Sequence, residues 1–207
     1  MNFGFLLFND AEELDFAGPW EIITVWSKYA SGPEICLTVS EDGAAVRCAK
    51  GLRVMPDYDF ENCPPLDYLL IPGGYGTRRE VSNEALIDFV KRQAAGCKEV
   101  MSVCTGAFIL RAAGLLDGKQ ATTHWSTLAS LREFAEVKVS EQRFVRDGHI
   151  WTAAGVSAGI DLALALVAAE AGEEAAGQVQ LYAEYYPDHR RYGEAHLSRQ
   201  APAYLKA

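Results

Sequence analysis

Short, strongly apolar runs recur along this chain, and each stops at a turn or a glycine. Asn2–Phe8 ends at Asn9-Asp10, Asp67–Ile71 runs into Pro72-Gly73-Gly74, and Glu99–Val103 stops at Cys104. Runs of this length without polar alternation suit strands buried on both faces, which occur in parallel sheets covered by helices on each side. The stretches between them have helical character. Gly18-Pro19 opens a helix over Trp20–Tyr29, with Pro19 in the first turn, where its missing N–H costs nothing. Asn83–Ala95 carries Leu86, Ile87, Val90 and Ala94 at helical spacing and stops at Gly96, and Thr105–Ala113 is a further helix capped by Gly114. Ile35–Ser40 adds a strand, Ala45–Cys48 and Leu52–Met55 two shorter ones, and Ala121–Thr123 another before a helix at Thr127–Phe134. Phe144–Thr152 reads as a hairpin turning at Asp147-Gly148. Ser157–Ala171 is apolar nearly all round, as a buried helix is, and Glu173–Tyr185 reads as the last, amphipathic helix. The alternation predicts an α/β, doubly wound, mostly parallel sheet with helices on both faces and ligands near the carboxyl ends of the strands.

A chain of 207 residues fits one domain, and hydrophobic and charged fractions of 49% and 23% are those of a globular protein. Nineteen Lys and Arg against 28 Asp and Glu give a formal net charge of −9, which repels a phosphate backbone and argues against a nucleic-acid partner. Leu162–Ala169 is fenced by Asp161 and Glu170 and falls far short of the ~20 residues that span a bilayer, so no membrane association is expected. The first ten residues have no basic leader and no small-residue cleavage site, so a cytoplasmic location is expected. Five cysteines, Cys36, Cys48, Cys63, Cys97 and Cys104, contain no C-x-x-C pair and no histidine at zinc-ligand spacing, which argues against a disulfide framework or a metal.

One of those cysteines has special surroundings. At Ser102-Val103-Cys104-Thr105-Gly106 a buried strand turns at once into a helix, with small residues two positions either side of the cysteine. This is the spacing of a nucleophile elbow, and a thiol facing free amide N–H groups at a helix start is expected to have a lowered pKa. The alternative is an ordinary buried cysteine at a strand end. Gly73 and Gly74 end a second strand, where backbone N–H groups approach a ligand closely, as an oxyanion hole requires, although Gly-Gly turns are common. Asp15, between Leu14 and Phe16, is either a buried carboxyl with a raised pKa that donates to a neighbouring sulfur, or a turn or cap carboxylate. His124 is either a base near Cys104 or a packed core histidine beside Trp125. Trp20 either shapes a pocket or fills the core, and Asp161 suits the first turn of its helix.

The segments FLLFNDAEELDFAGPWE, DYLLIPGG, VMSVCTGAFILRAAGLLDGK, ATTHW and GVSAGIDLAL together resemble the DJ-1/PfpI superfamily, and within it the isocyanide hydratases, over about residues 2 to 186. The resemblance implies a flavodoxin-like fold, a homodimer, a small-molecule substrate and no cofactor or metal. It implies Cys104 as nucleophile, Asp15 as the acid touching its sulfur, and Thr105 with Gly73 or Gly74 as backbone donors around the reacting atom. PfpI-type peptidases have histidine directly after the cysteine. Here that residue is Thr105, so peptidase activity is not expected. Regulators in the superfamily carry an added helix-turn-helix domain, and residues 187–207, with His189, Arg190 and Arg191, are too few for one. That tail, where the resemblance fades, is a candidate for a dimer or pocket contact. The implied reaction adds water to an isocyanide through a covalent thioimidate on Cys104. Dicarbonyl chemistry of the glyoxalase or deglycase kind, and a non-catalytic thiol sensor, use the same cysteine and stay open.

Overall fold

The computed structural model describes residues 1–188, 190–199 and 201–206. In chain order the elements are β1 (Asn2–Leu6), α1 (Glu13–Tyr29), β2 (Ile35–Val39), β3 (Val46–Arg47), β4 (Arg53–Val54), β5 (Tyr68–Ile71), α2 (Thr77–Glu80), α3 (Glu84–Ala94), β6 (Glu99–Val103) and α4 (Gly106–Ala112). There follow β7 (Gln120–Ala121), α5 (Leu128–Arg132), β8 (Lys138–Val139), β9 (Phe144–Asp147), β10 (Ile150–Ala153), α6 (Ala158–Ala171), α7 (Glu173–Tyr182) and α8 (Ala203–Lys206).

Six strands form one sheet in the order β2-β1-β5-β6-β10-β9, parallel except for β9, which pairs antiparallel with β10. One ladder crosses it from Thr38 through Phe5, Leu70, Met101 and Trp151 to Arg146. The register brings the carboxyl ends of β5, β6 and β10 level, with Ile71 beside Ser102 and Ser102 beside Thr152. The segments beginning at Pro72, Cys104 and Ala154 therefore leave the sheet side by side.

Each face of the sheet has its own core, so the expected α/β layering holds. Tyr68, Leu70, Met101, Val103 and Trp151 point to the side packed by α1, α6 and α7, together with Phe16, Ile22, Trp26, Leu162 and Leu166. Leu69, Ile71, Val100 and Ile150 point to the other side, against Phe89 and Val90 of α3 and Ile109 and Leu110 of α4. Burying each such side chain contributes ~1.5–3 kcal/mol, which explains why the central strands carry no polar face. Where α1 crosses α6, a Cβ on Gly159 would lie 2.9 Å from Pro19 Cγ, so only glycine lets the two helices approach this closely. That crossing sets the start of α1 against the start of α6.

Three expectations are corrected. Helix α1 begins at Glu13 and not at Trp20, with Pro19 inside it. The acidic first turn, Glu13 and Asp15, suits the helix start, and the absent Pro19 N–H deprives only one carbonyl a turn earlier. The run Ala121–Thr123 contributes only Ala121 to a strand, β7, which pairs with β8 outside the main sheet. The helix beginning at Glu173 ends at Tyr182 and is followed by α8, so it is not the last. No helix among the described residues is long and apolar enough to cross a membrane.

Candidate active site

Cys104 follows β6 directly, with φ +56°. A non-glycine residue held in this left-handed region costs ~1–3 kcal/mol and persists only where its surroundings fix it. They do so from both sides. Its N–H is shared between the carbonyls of Ala153 (3.1 Å) and Ala154 (2.8 Å), and its own carbonyl accepts the Thr123 hydroxyl at 2.8 Å. The turn aims the side chain at a cavity of about 250 Å³ lined by Glu12, Tyr75, Arg78, His124, Val156 and Thr105, among others.

Asp15, in the first turn of α1, is fully buried behind the cysteine. Its Oδ2 accepts the Gly73 N–H at 2.8 Å, Oδ1 is buried without a hydrogen-bond partner, and the Cys104 thiol acts on the carboxyl from nearby. Burial pushes the carboxyl up to about 8, with the Gly73 amide acting in the opposite direction, so it holds its proton at neutral pH.

The thiol itself does not have the lowered pKa expected of a helix start. Burial pushes it up to about 12, and the charge of an ionised Asp15 adds to this. The opposing donors are the backbone N–H groups of Thr105 and Val156 and the Thr105 hydroxyl. Helix α4 is only two turns long, and removal from water outweighs its end. Burial raises the other four cysteines to about 11 or 12 as well, and Cys104 differs from them in having backbone amides that oppose the shift.

The two glycines after β5 serve differently from the expectation. Gly73 N–H is taken by Asp15, and Gly74 N–H by the Thr105 hydroxyl at 3.0 Å, so neither amide faces the cavity as a free donor. Thr77 hydroxyl also donates to Thr105 Oγ1, at 3.0 Å. A Cβ on Gly73 would stand 2.5 Å from Thr105 N and 2.9 Å from Cys104 Cβ, which explains the glycine as a close approach of strand end to elbow. The donors around the sulfur come from Thr105 and Val156 instead.

His124 lines the same cavity as Cys104. Its Nδ1 accepts the Ser126 N–H at 3.3 Å and lies 2.8 Å from the Ser126 hydroxyl, which leaves the ring proton on Nε2. Burial lowers its pKa, so the ring is neutral, and in this tautomer Nδ1 is engaged by Ser126 while Nε2 carries the proton. Trp20 packs edge-on against Phe5 in the core, 5.1 Å between ring centres, and does not line the cavity. Asp161 pairs with Arg143 and accepts the Tyr185 hydroxyl, away from the cysteine. In the tail, Tyr204 packs on the core while Arg190 lies over Tyr192; His189 lies outside the described residues.

Sequence reasoning did not single out Glu12, Tyr75, Arg78 or Val156. Glu12 was legible as the acid opening the turn that carries Asp15. Val156 contributes an amide, which its side chain does not advertise, although its φ of +39° marks it in the structure.

The sequence signature of the DJ-1/PfpI family matches residues 2–169. The isonitrile hydratase of Pseudomonas putida is 41% identical over 188 residues, covering 90% of this chain and 79% of that protein. The HTH-type transcriptional regulator GbdR of Pseudomonas aeruginosa is 34% identical over 83% of this chain, which spans 47% of the regulator. Among solved structures, a THiJ/PfpI family protein from Pseudomonas syringae is similar with a TM-score of 0.85 and 33% identity, over 99% of this chain and 82% of that one.

Proposed function

The chain belongs to the DJ-1/PfpI family, and from that premise we propose that it is a cysteine-dependent enzyme that hydrates an isocyanide to an N-formamide. The observation that carries this reading is the pairing of a buried thiol, turned into a cavity by a left-handed backbone, with a carboxyl that keeps its proton at neutral pH. The likeness to an isonitrile hydratase supports it.

An isocyanide's terminal carbon both accepts a nucleophile and takes up a proton. Asp15 delivers its proton to that carbon as the Cys104 sulfur bonds to it, and the carboxylate so formed receives the thiol proton. The net change is addition of S–H across one carbon, giving a thioimidate with Asp15 protonated again. Such an exchange avoids a free thiolate in the resting protein, in keeping with a thiol pushed up to about 12. The Thr105 and Val156 amides stabilise negative charge on the sulfur as the bond forms. Water then adds to the thioimidate carbon, and collapse of the tetrahedral intermediate breaks the C–S bond, releasing the formamide and restoring the thiol. The Nε2–H of His124 is a donor for the water or the imine nitrogen. Gly73 and Gly74 hold Asp15 and Thr105 in position.

We further propose that the protein acts in the cytoplasm as a homodimer. The test of the activity is formamide release from an alkyl isocyanide, run beside methylglyoxal consumption. Hydration by the wild type, lost in Cys104→Ser with the fold intact, is the expected result. Consumption of methylglyoxal alone would replace this reading with dicarbonyl chemistry.

A further inference from the structure

The catalytic cavity presents one cation with no ion-pair partner among the described residues, in a chain that is acidic overall. The formal net charge is −9, yet most ionisable groups at the cavity are neutral or neutralised. Glu12 is paired with the Lys50 ammonium, which also lies 3.8 Å from Glu13, Asp15 keeps its proton at neutral pH, and burial keeps His124 uncharged. Arg78 remains. Its guanidinium lies over the Tyr75 ring, 5.2 Å from the centre, and both side chains are exposed at the cavity wall. Among the described residues no ion pair is made by Arg78, whereas the adjacent Arg79 is paired with both Asp10 and Glu80.

Resting on the hydratase reading, we propose that the substrate is an isocyanide bearing a carboxylate close to its isocyanide nitrogen, and that Arg78 is the specificity-determining residue that holds this group. Arg78 presents a planar fork that matches a carboxylate, and the Tyr75 face beneath it limits the orientations of the fork. A cavity of about 250 Å³ admits a small molecule that reaches from the Arg78 wall to the Cys104 sulfur. A carboxylate in bulk water is repelled by the protein as a whole, so the local cation discriminates in favour of anions that reach this cavity. The carboxylate takes no part in bond making: one water is added across the terminal carbon, with no oxidation or reduction.

The experiment compares isocyanoacetate with its methyl ester, which share the reacting group and differ in charge. Wild type is expected to favour the acid about tenfold in kcat/KM, through KM, with the preference shrinking as salt is added. Arg78→Gln is expected to lower the acid-to-ester ratio about tenfold, and Arg78→Lys to recover part of it, because the charge returns without the fork. A wild type that shows no preference for the acid, or a ratio unchanged in Arg78→Gln, overturns the role of Arg78 while leaving the hydratase reading in place. Hydration of neither compound, with no added mass on Cys104, would remove the hydratase reading and this inference with it. The salt dependence is read on the wild type alone, so the proposal stands or falls even if a variant folds poorly.

Discussion

Asp15 links the chemistry to the pH dependence of folding. Its pKa is about 8 in the folded chain against 3.8 for an ordinary aspartate, so between those values the folded state binds more protons than the unfolded one. Stability conferred by the protonated carboxyl is therefore complete at low pH and is lost as pH rises towards the folded value. Asp15→Asn removes the titration but keeps an acceptor for the Gly73 amide. Thermal melts are expected to show the variant more stable than the wild type, by a margin that widens from about pH 5 to about pH 8. Formamide release should fall ~100- to 10,000-fold in the same variant, as it does when a general acid is lost. A variant that loses stability and keeps its rate would return Asp15 to a turn or cap role. Cys104 was legible in the sequence because the small residues at 102 and 106 are a side-chain pattern, and Asp15 because an acid stood among apolar neighbours. Of the donors at the sulfur, Thr105 was expected from the family resemblance, whereas Val156 was not, since an amide N–H belongs to every residue but proline and only the fold brings that one to the thiol.

The turn between β10 and α6 has to be held in place, because Val156 is β-branched and sits at φ +39°. Arg143 is the side chain that holds it. Its carbonyl accepts the Ala154 N–H at 2.9 Å, its Nε bonds Asp161 in the first turn of α6 at 2.5 Å, and its terminal nitrogen reaches the Ser157 hydroxyl at 3.1 Å. Arg143→Met is expected to slow turnover severalfold and to slow alkylation of Cys104 relative to the other four cysteines, with partial recovery in Arg143→Lys. General loosening of the fold would speed alkylation of all five. The central strands were readable because burial on both faces leaves an uninterrupted apolar run, as in Tyr68–Ile71. The start of α1 was hidden because Pro19 reads as a first-turn residue, although the acidic turn before it is already helical. Helix α2 was missed for a different reason: four polar residues, Thr77–Glu80, carry no periodicity to detect.

Over the whole molecule, the two cores lock the ends of β5, β6 and β10 into one edge, so a single cavity draws on segments far apart in the chain. Leu14, Tyr75 and Trp125 are large apolar side chains left exposed, and Tyr75 lines the cavity. Sedimentation at micromolar concentration is expected to give twice the 22.6 kDa chain mass, and a monomer would refute the homodimer. The fold class followed from the alternation of strands and helices, whereas the cavity walls did not, because Glu12, Arg78 and Val156 meet only through that alignment of strand ends. The central claim is covalent catalysis at Cys104, and rapid-quench mass spectrometry of the protein mixed with an alkyl isocyanide tests it most directly. The expected result is a transient mass gain equal to one isocyanide, located on the peptide containing Cys104 and decaying as formamide appears; formamide release with no such gain, or with the gain on another cysteine, would contradict it.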